Sequence, residues 1–237
     1  MINYQLETIP VWDALQKNSE CLICSLMEEA EKDSVRFFLG SSVMNPETRV
    51  KVNKTGFCPY HAKMLTEQGK TNALAVLEET VFKTTTESME EYLTSVENGK
   101  NLKKNIEKLS IKTQERTTGC LVCQAMQKRL DRYLATTAIL WDTDIEFRKT
   151  LEKSKGFCLM HFPMLLKTAT KVLDSKKSKD FAISIAHLEK VNLIRLQGEL
   201  RYMIEKYKGE NIDKPWNGCE DAQKRVILKQ IGKGRIW

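Results

Sequence analysis

Glycine and proline are scarce, 11 and 5 in 237 residues. That is too few for a β-sandwich, which needs turn residues about every dozen positions. Alternating β-branched and polar runs are also missing, so no strand is expected. No stretch approaches the roughly 20 apolar residues of a membrane span. The start, MINYQLETIPVWDALQ, lacks the basic and apolar regions of a secretory leader. No block of five like charges occurs, so the net charge of +7 reflects mixed basic and acidic residues rather than a basic arm. The phosphate-loop, dinucleotide-binding and nucleophile-elbow motifs have no counterpart. Histidine occurs only three times, whereas cysteine occurs seven times.

What remains is helical. Leu193, Leu196, Leu200, Met203 and Tyr207 recur at steps of three and four, and so do Leu74, Leu77 and Val81, and Met89, Leu93 and Val96. Asn45-Pro46 reads as a helix start, and Gly99 and residues 209–211 as stops. A soluble, cytoplasmic, all-α protein is expected. In a reducing compartment the cysteines argue for metal binding or chemistry rather than a disulfide framework.

Two of the three histidines sit in a repeated phrase. CLICSLM at 21–27 is answered by CLVCQAM at 120–126, and GFCPYHAKML at 56–65 by GFCLMHFPML at 156–165. The offset is 99 positions for the cysteine pairs and 100 for the Cys-His pairs, which points to an internal duplication. Each copy supplies Cys-x2-Cys and Cys-x2-His, and the gap from Cys24 to Cys58 matches that from Cys123 to Cys158 to within one position. Cys3His is a zinc ligand set, and a two-residue gap lets both ligands of a pair reach one ion. The expected sites are Cys21, Cys24, Cys58 and His61 in one copy, and Cys120, Cys123, Cys158 and His161 in the other. Two zinc ions per chain would lower the formal charge from +7 to +5.

Local signals agree with metal binding. Each pair falls where a helix begins, and exposed N–H groups there favour thiolate. Gly56 and Gly156 suit a tight reversal or a C-cap, and Phe57 and Phe157 are expected to shield the ion. Pairing within a copy constrains the chain. A straight helix over 22–44 would run about 34 Å from the first pair, so a bend near Gly40-Ser41-Ser42 or some extended chain is needed for return. Four protein ligands per ion leave no position for water, so both sites read as structural rather than catalytic. Iron–sulfur ligation usually takes four thiolates at other spacings, and a thioredoxin-like Cys-x2-Cys needs a βαβ setting.

Other candidates are weaker. His187 reads as a core or interface residue, and Cys219, beside Trp216, as an inert thiol. Glu28, Glu29 and Glu31, and Asp142 with Asp144, read as solvated faces and caps rather than catalytic carboxylates. Residues 176–179 (KKSK) and the tail from Lys224 to Arg235 could touch phosphates, but a reading helix and stacking aromatics are missing or scattered.

The pattern of Cys-x2-Cys openings, a following acidic–apolar helix and a later Gly-Phe-Cys-x2-His resembles a bacterial, all-helical family of unknown function, over about residues 20–210. Trp216 and DAQKRVILKQIG in the tail are also similar. Leu22-Ile23 and Leu121-Val122 replace the usual Pro-Leu between the first two cysteines. The resemblance implies metal sites on the eight residues named and implies no reaction. The expected organisation is a first module over 1–110, a second over 111–210, and a turn, short helix and basic end over 211–237. The resemblance leaves function open; from the closed metal sites the role expected is a scaffold with an unknown protein partner. A nucleic-acid-binding or regulatory protein is the alternative, and a thiol or metal-dependent enzyme a further one.

Overall fold

Helices account for most of the described residues because the turn residues that would interrupt them are concentrated at a few points. The computed structural model describes residues 7–233, and among these there is no strand. The α-helices are α1 (Thr8–Gln16), α2 (Leu22–Phe38), α3 (Pro46–Thr55), α4 (Pro59–Glu67), α5 (Thr71–Glu97), α6 (Leu102–Thr117), α7 (Leu121–Thr143), α8 (Ile145–Glu152), α9 (His161–Val172), α10 (Ser175–Lys206) and α11 (Ala222–Ile231). The expected bend is present: Gly40 precedes a 3-10 turn at Ser41–Met44, and α3 starts on Pro46 with Asn45 Oδ1 accepting from Thr48 N at 2.9 Å. The second copy has no glycine at its bend and uses Asp144 instead, whose carboxylate accepts from Glu146 N and Phe147 N at the start of α8. The basic end expected after α11 falls partly on residues 234–237, outside the described residues.

Contacts group the chain into two units, Met1–Glu29 with Lys128–Trp237, and Ala30–Gln127. This differs from the tandem division at residue 110 that the repeat suggests. The division falls inside α2 and inside α7, so each copy of the repeat begins in one unit and continues in the other.

In the first unit, Trp12 of α1 meets Phe147 of α8 edge-to-face at 5.2 Å, and Trp141 of α7 meets Phe181 of α10 at 5.1 Å. Arg148 lies 4.2 Å over the Trp141 ring. The tail forms a smaller cluster with the end of α10: Cys219 and Ala222 are buried with Met203, and Trp216 packs beside them. Burial pushes the Cys219 thiol up, which fits an inert side chain. His187 is exposed on α10 and is not the core residue that its apolar neighbours suggest. The leucine stripe of α10 is also shorter than its periodicity implies: Leu196 and Met203 are buried, whereas Tyr207 is exposed.

The second unit is built differently. Val35, Val52, Leu65, Leu77, Val122 and Met126 form a small buried set. Arg116 fastens the far helices to it, donating to Thr85 Oγ1 at 2.7 Å, to Val81 O at 3.1 Å and to Asn53 O. Beyond that point α5 and α6 run as an antiparallel hairpin with little core of its own. Leu77 is the only buried residue of the 27 in α5, and α6 buries none of its 16.

Candidate metal centres

All four ligand pairs lie at helix beginnings. Cys21 and Cys120 immediately precede α2 and α7, Cys58 is the N-cap of α4, and His161 opens α9. The expectation from local sequence therefore holds at each pair. In both Cys-x2-Cys turns the second cysteine's N–H points at the first cysteine's sulfur, Cys24 N to Cys21 Sγ and Cys123 N to Cys120 Sγ, each at 3.4 Å. These N–H groups are among the unsatisfied donors of a helix start, and they stabilise negative charge on sulfur.

The structure brings the eight residues together as two groups of four, but not in the expected pairing. One centre, in the first unit, is Cys21, Cys24, Cys158 and His161. The other, in the second unit, is Cys58, His61, Cys120 and Cys123. The halves are exchanged between the copies. The reason is the path of the chain between them. Helix α2 has 17 residues and α3 only 10. At about 1.5 Å per residue, α2 carries the backbone away from Cys21 for much farther than α3 can bring it back. Cys58 thus stops short of Cys21 and meets the start of α7. The imbalance is larger in the second copy, with 23 residues in α7 against 8 in α8. The exchange is sealed by matching backbone bonds: Leu22 N donates to Gly156 O at 3.2 Å, and Leu121 N to Gly56 O at 3.1 Å.

The distances fit a single tetrahedral ion. Bonds of about 2.3 Å to sulfur and about 2.05 Å to nitrogen place sulfurs about 3.8 Å apart and sulfur about 3.5 Å from nitrogen. In the first centre Cys24 and Cys158 sulfurs are 3.8 Å apart, and His161 Nδ1 lies 3.5, 3.5 and 3.3 Å from Cys21, Cys24 and Cys158. In the second, Cys58 and Cys123 sulfurs are 3.9 Å apart, and His61 Nδ1 lies 3.3, 3.3 and 3.4 Å from Cys58, Cys120 and Cys123. One imidazole nitrogen carries at most one proton, so hydrogen bonding alone cannot account for three sulfurs converging on it. All seven cysteines are free, since a disulfide would need sulfurs about 2.05 Å apart. A cluster of several irons would hold its thiolates on different metals and farther apart.

The protein's own groups do not balance three thiolates. In the first centre, hydrogen bonds from Cys21 and Cys24 hold the Cys158 thiol far below its ordinary value, and their bond raises Cys24 to about 12. Burial, then the same neighbours, push Cys21 well up. In the second centre burial pushes Cys120 up, but His61 and backbone N–H groups outweigh it and bring the thiol down to about 6; Cys123, mainly through burial, is raised to about 12. Burial pushes Cys58 up as well, but the His61 groups outweigh it and lower the thiol. Each centre by itself thus ionises only part of its thiol set and leaves at least one thiol protonated. A divalent cation is the missing charge that would ionise all three.

The surroundings of the two centres differ. Glu31, read from sequence as part of a solvated face, is nearly buried and lies 3.0 Å from His61 Nε2. With a metal ion on Nδ1, this contact would fix the tautomer and the ring orientation. Desolvation pulls His61 down, but the Cys120 and Glu31 hydrogen bonds outweigh it and raise the imidazole to about 9. At an offset of 99 the counterpart of Glu31 is Leu130, so the repeat gave no signal for this residue.

The first centre is instead supported by a buried ion pair. Glu189 Oε1 is 2.6 Å from Lys229 Nζ, and Glu189 Oε2 accepts from Phe157 N at 3.2 Å. Lys229 also donates to Lys155 O at 2.7 Å. The pair holds the Gly-Phe-Cys loop, where Phe157 is fully buried as expected; Phe57 is only half-buried and packs edge-to-face on Phe38 at 5.2 Å. The residues just after α11 cover the sulfurs: Lys233 N donates to Cys24 Sγ at 3.3 Å. Gly232, with φ of 78°, stands where a Cβ would lie 3.3 Å from Cys158 Sγ and 3.5 Å from Cys24 Sγ.

The remaining acidic candidates are structural. Asp144 is a helix cap, and Asp142 pairs with Lys177 at 2.7 Å. No described helix is long and apolar enough to cross a membrane. No curated protein and no solved structure matches the chain. Its residues 2–235 match a family described as a family of unknown function (DUF6062), and the chain belongs to that family.

Proposed function

We propose that the protein is a helical scaffold locked by two structural zinc ions, with a role in binding another protein rather than in catalysis. The observation that carries this reading is that each centre already offers four ligand atoms at the edge lengths of a zinc tetrahedron, so neither keeps a position for water or substrate. Mixed sulfur and nitrogen donors in a closed tetrahedron favour zinc over the harder cations, which prefer oxygen. Seven free thiols suit a reducing compartment such as the cytoplasm. Several of the basic residues that might have met phosphates are engaged within the chain. Lys177 pairs with Asp142, Arg225 with Glu199 and Asp221, and Lys229 with Glu189. This counts against a nucleic-acid role.

The test is elemental analysis of protein purified without a metal-affinity tag, alongside helicity with and without a strong chelator. About two zinc ions per chain and loss of cooperative unfolding on chelation are expected. A folded, reduced, metal-free protein would overturn the structural-zinc reading. A water-coordinated or readily exchanged metal would favour an enzyme instead.

A further inference from the structure

The two centres are equal in ligands but not in access, and the difference falls on one cysteine. In the first centre Cys21, Cys24 and Cys158 are 0%, 2% and 0% exposed. Their cover is itself held: Lys233, whose N–H caps Cys24, pairs through its ammonium with Glu28 on α2. In the second centre Cys58, Cys120 and His61 are buried, and Cys123 is the one ligand of the eight that is not. Its contacts to Cys58 and His61 are only partly buried, whereas those of Cys58 and Cys120 to His61 are buried.

Coordination requires deprotonated cysteine, so with zinc in place every sulfur of the centre is a thiolate. Three thiolates against one dication leave an excess of negative charge, and the sulfurs keep electron density to donate. Glu31, 3.0 Å from His61 Nε2, adds to this in the second centre. A carboxylate behind a ligating imidazole makes that imidazole more basic, which leaves the thiolates less drained by the metal. Oxidation of cysteine follows thiolate character and access together. Both meet at Cys123.

A resolving sulfur is also in place. Cys58 Sγ, on the N-cap residue of α4, lies 3.9 Å from Cys123 Sγ. Without an ion between them, only a short approach separates the two from the length of a disulfide, about 2.05 Å.

We propose that Cys123 is a modification site for peroxides, and that its oxidation releases the metal of the second centre while the first is spared. The Cys123 thiolate attacks one oxygen of a hydroperoxide. The S–O bond forms, the O–O bond breaks, and the other oxygen leaves as hydroxide or alkoxide and takes a proton from solvent. The Cys58 thiolate then attacks the sulfenic sulfur of Cys123. The S–S bond forms, the S–O bond breaks, and the departing hydroxide is protonated to water. Two electrons pass from the two thiolates to the peroxide. Cys120 and His61 are left, half of a tetrahedral set and too few to hold the ion. The new bond joins the start of α4 to the first turn of α7, which the Leu121 N to Gly56 O bond already holds together. Reduction therefore returns the ligands to a site that has kept its place. This inference rests on the structural-zinc reading above and adds a regulation to one of its two sites.

Hydrogen peroxide on the full, zinc-loaded chain tests it, at a dose that oxidises free cysteine. A chromogenic chelator reports released zinc, and peptide mapping reports each thiol. About one of the two zinc ions should be released, with a Cys58–Cys123 disulfide formed and Cys21, Cys24 and Cys158 still reduced. A cyclic diketone that traps sulfenic acids should label Cys123 before any other cysteine. A thiol reductant with added zinc should restore the lost ion. Cys123→His replaces the thiolate with another zinc donor, so the variant loaded with both ions should release neither. The mapping on the unmodified chain decides the matter even if that variant does not fold. Oxidation that begins in the first centre, a disulfide from Cys123 to Cys120 instead of Cys58, or ligand thiols that all stay reduced would each overturn the proposal. So would peroxide-driven release from the loaded Cys123→His variant. Zinc content before the oxidant is added separates this inference from the reading beneath it. Two ions present and none released overturns only the oxidation site, whereas a folded chain without zinc overturns the structural-zinc reading.

Discussion

The two Cys3His centres share their inner geometry and differ in what stands behind it. Both join a Cys-x2-Cys turn at one helix start to a Cys-x2-His turn at another, with the same N–H···S bond and a matching backbone bond to the glycine. The first centre is then covered by the residues just after α11 and supported by the Glu189–Lys229 pair. The second has Glu31 on its histidine and Cys123 only half-buried. Ligand geometry is thus set by short local motifs, whereas access to the sulfurs is set by residues far away in sequence. The first centre should release metal to a chelator more slowly than the second.

The largest effects should come from the exchange of halves. Cys21→Ser and Cys158→Ser remove ligands from the same centre, so the double variant should lose one zinc, no more than either single one. Cys21→Ser with Cys58→Ser should lose both. Loss of one structural ion removes on the order of 10 kcal/mol of apparent metal-linked stability, so the affected unit should unfold in far-UV dichroism or hydrogen exchange. If Cys21→Ser/Cys58→Ser retained one zinc, pairing within each copy would be right and the exchange wrong.

Next in size is the buried pair. Lys229 is 1% and Glu189 3% exposed, so Lys229→Met leaves a carboxylate in the interior without its cation. Breaking such a pair typically costs about 3–5 kcal/mol. The expected outcome is a lower denaturation midpoint with faster metal loss from the first centre only. Equal metal loss from both centres would show that the pair supports the protein generally and not that loop.

How much of this the sequence discloses depends on range. Asn45, Pro46, Gly40 and the four helix starts are read from a few neighbouring residues, and all eight ligands follow from two short spacings. Which halves close together is a different matter, because spacing states the ligands of a pair and not the net path of the chain between pairs. The excess of α2 over α3 decides that, and it is known only once the ends of both helices are. Glu31 was hidden among three nearby acids on one helix. The partners Glu189 and Lys229 lie far apart in the chain, and nothing in periodicity links a glutamate in α10 to a lysine in an amphipathic tail helix.

The smallest effect sharpens the contrast most. Glu31→Gln keeps size and a hydrogen-bond acceptor but removes the charge that orients His61 and raises its basicity. Losing such an outer partner typically weakens metal binding by about 10–100-fold, or about 1.4–2.7 kcal/mol at about 1.36 kcal/mol per tenfold. Competition with a chromogenic chelator should show one weakened zinc and one unchanged, with helicity intact. The unchanged ion belongs to the centre of His161, since Glu31 bonds to His61 alone among the two histidines. Combining Glu31→Gln with Cys158→Ser should leave a single zinc, and that one weak. If the remaining zinc were still tight, Glu31 would be neutralising charge on the helix rather than holding the imidazole, and the difference between the centres would lie in burial alone.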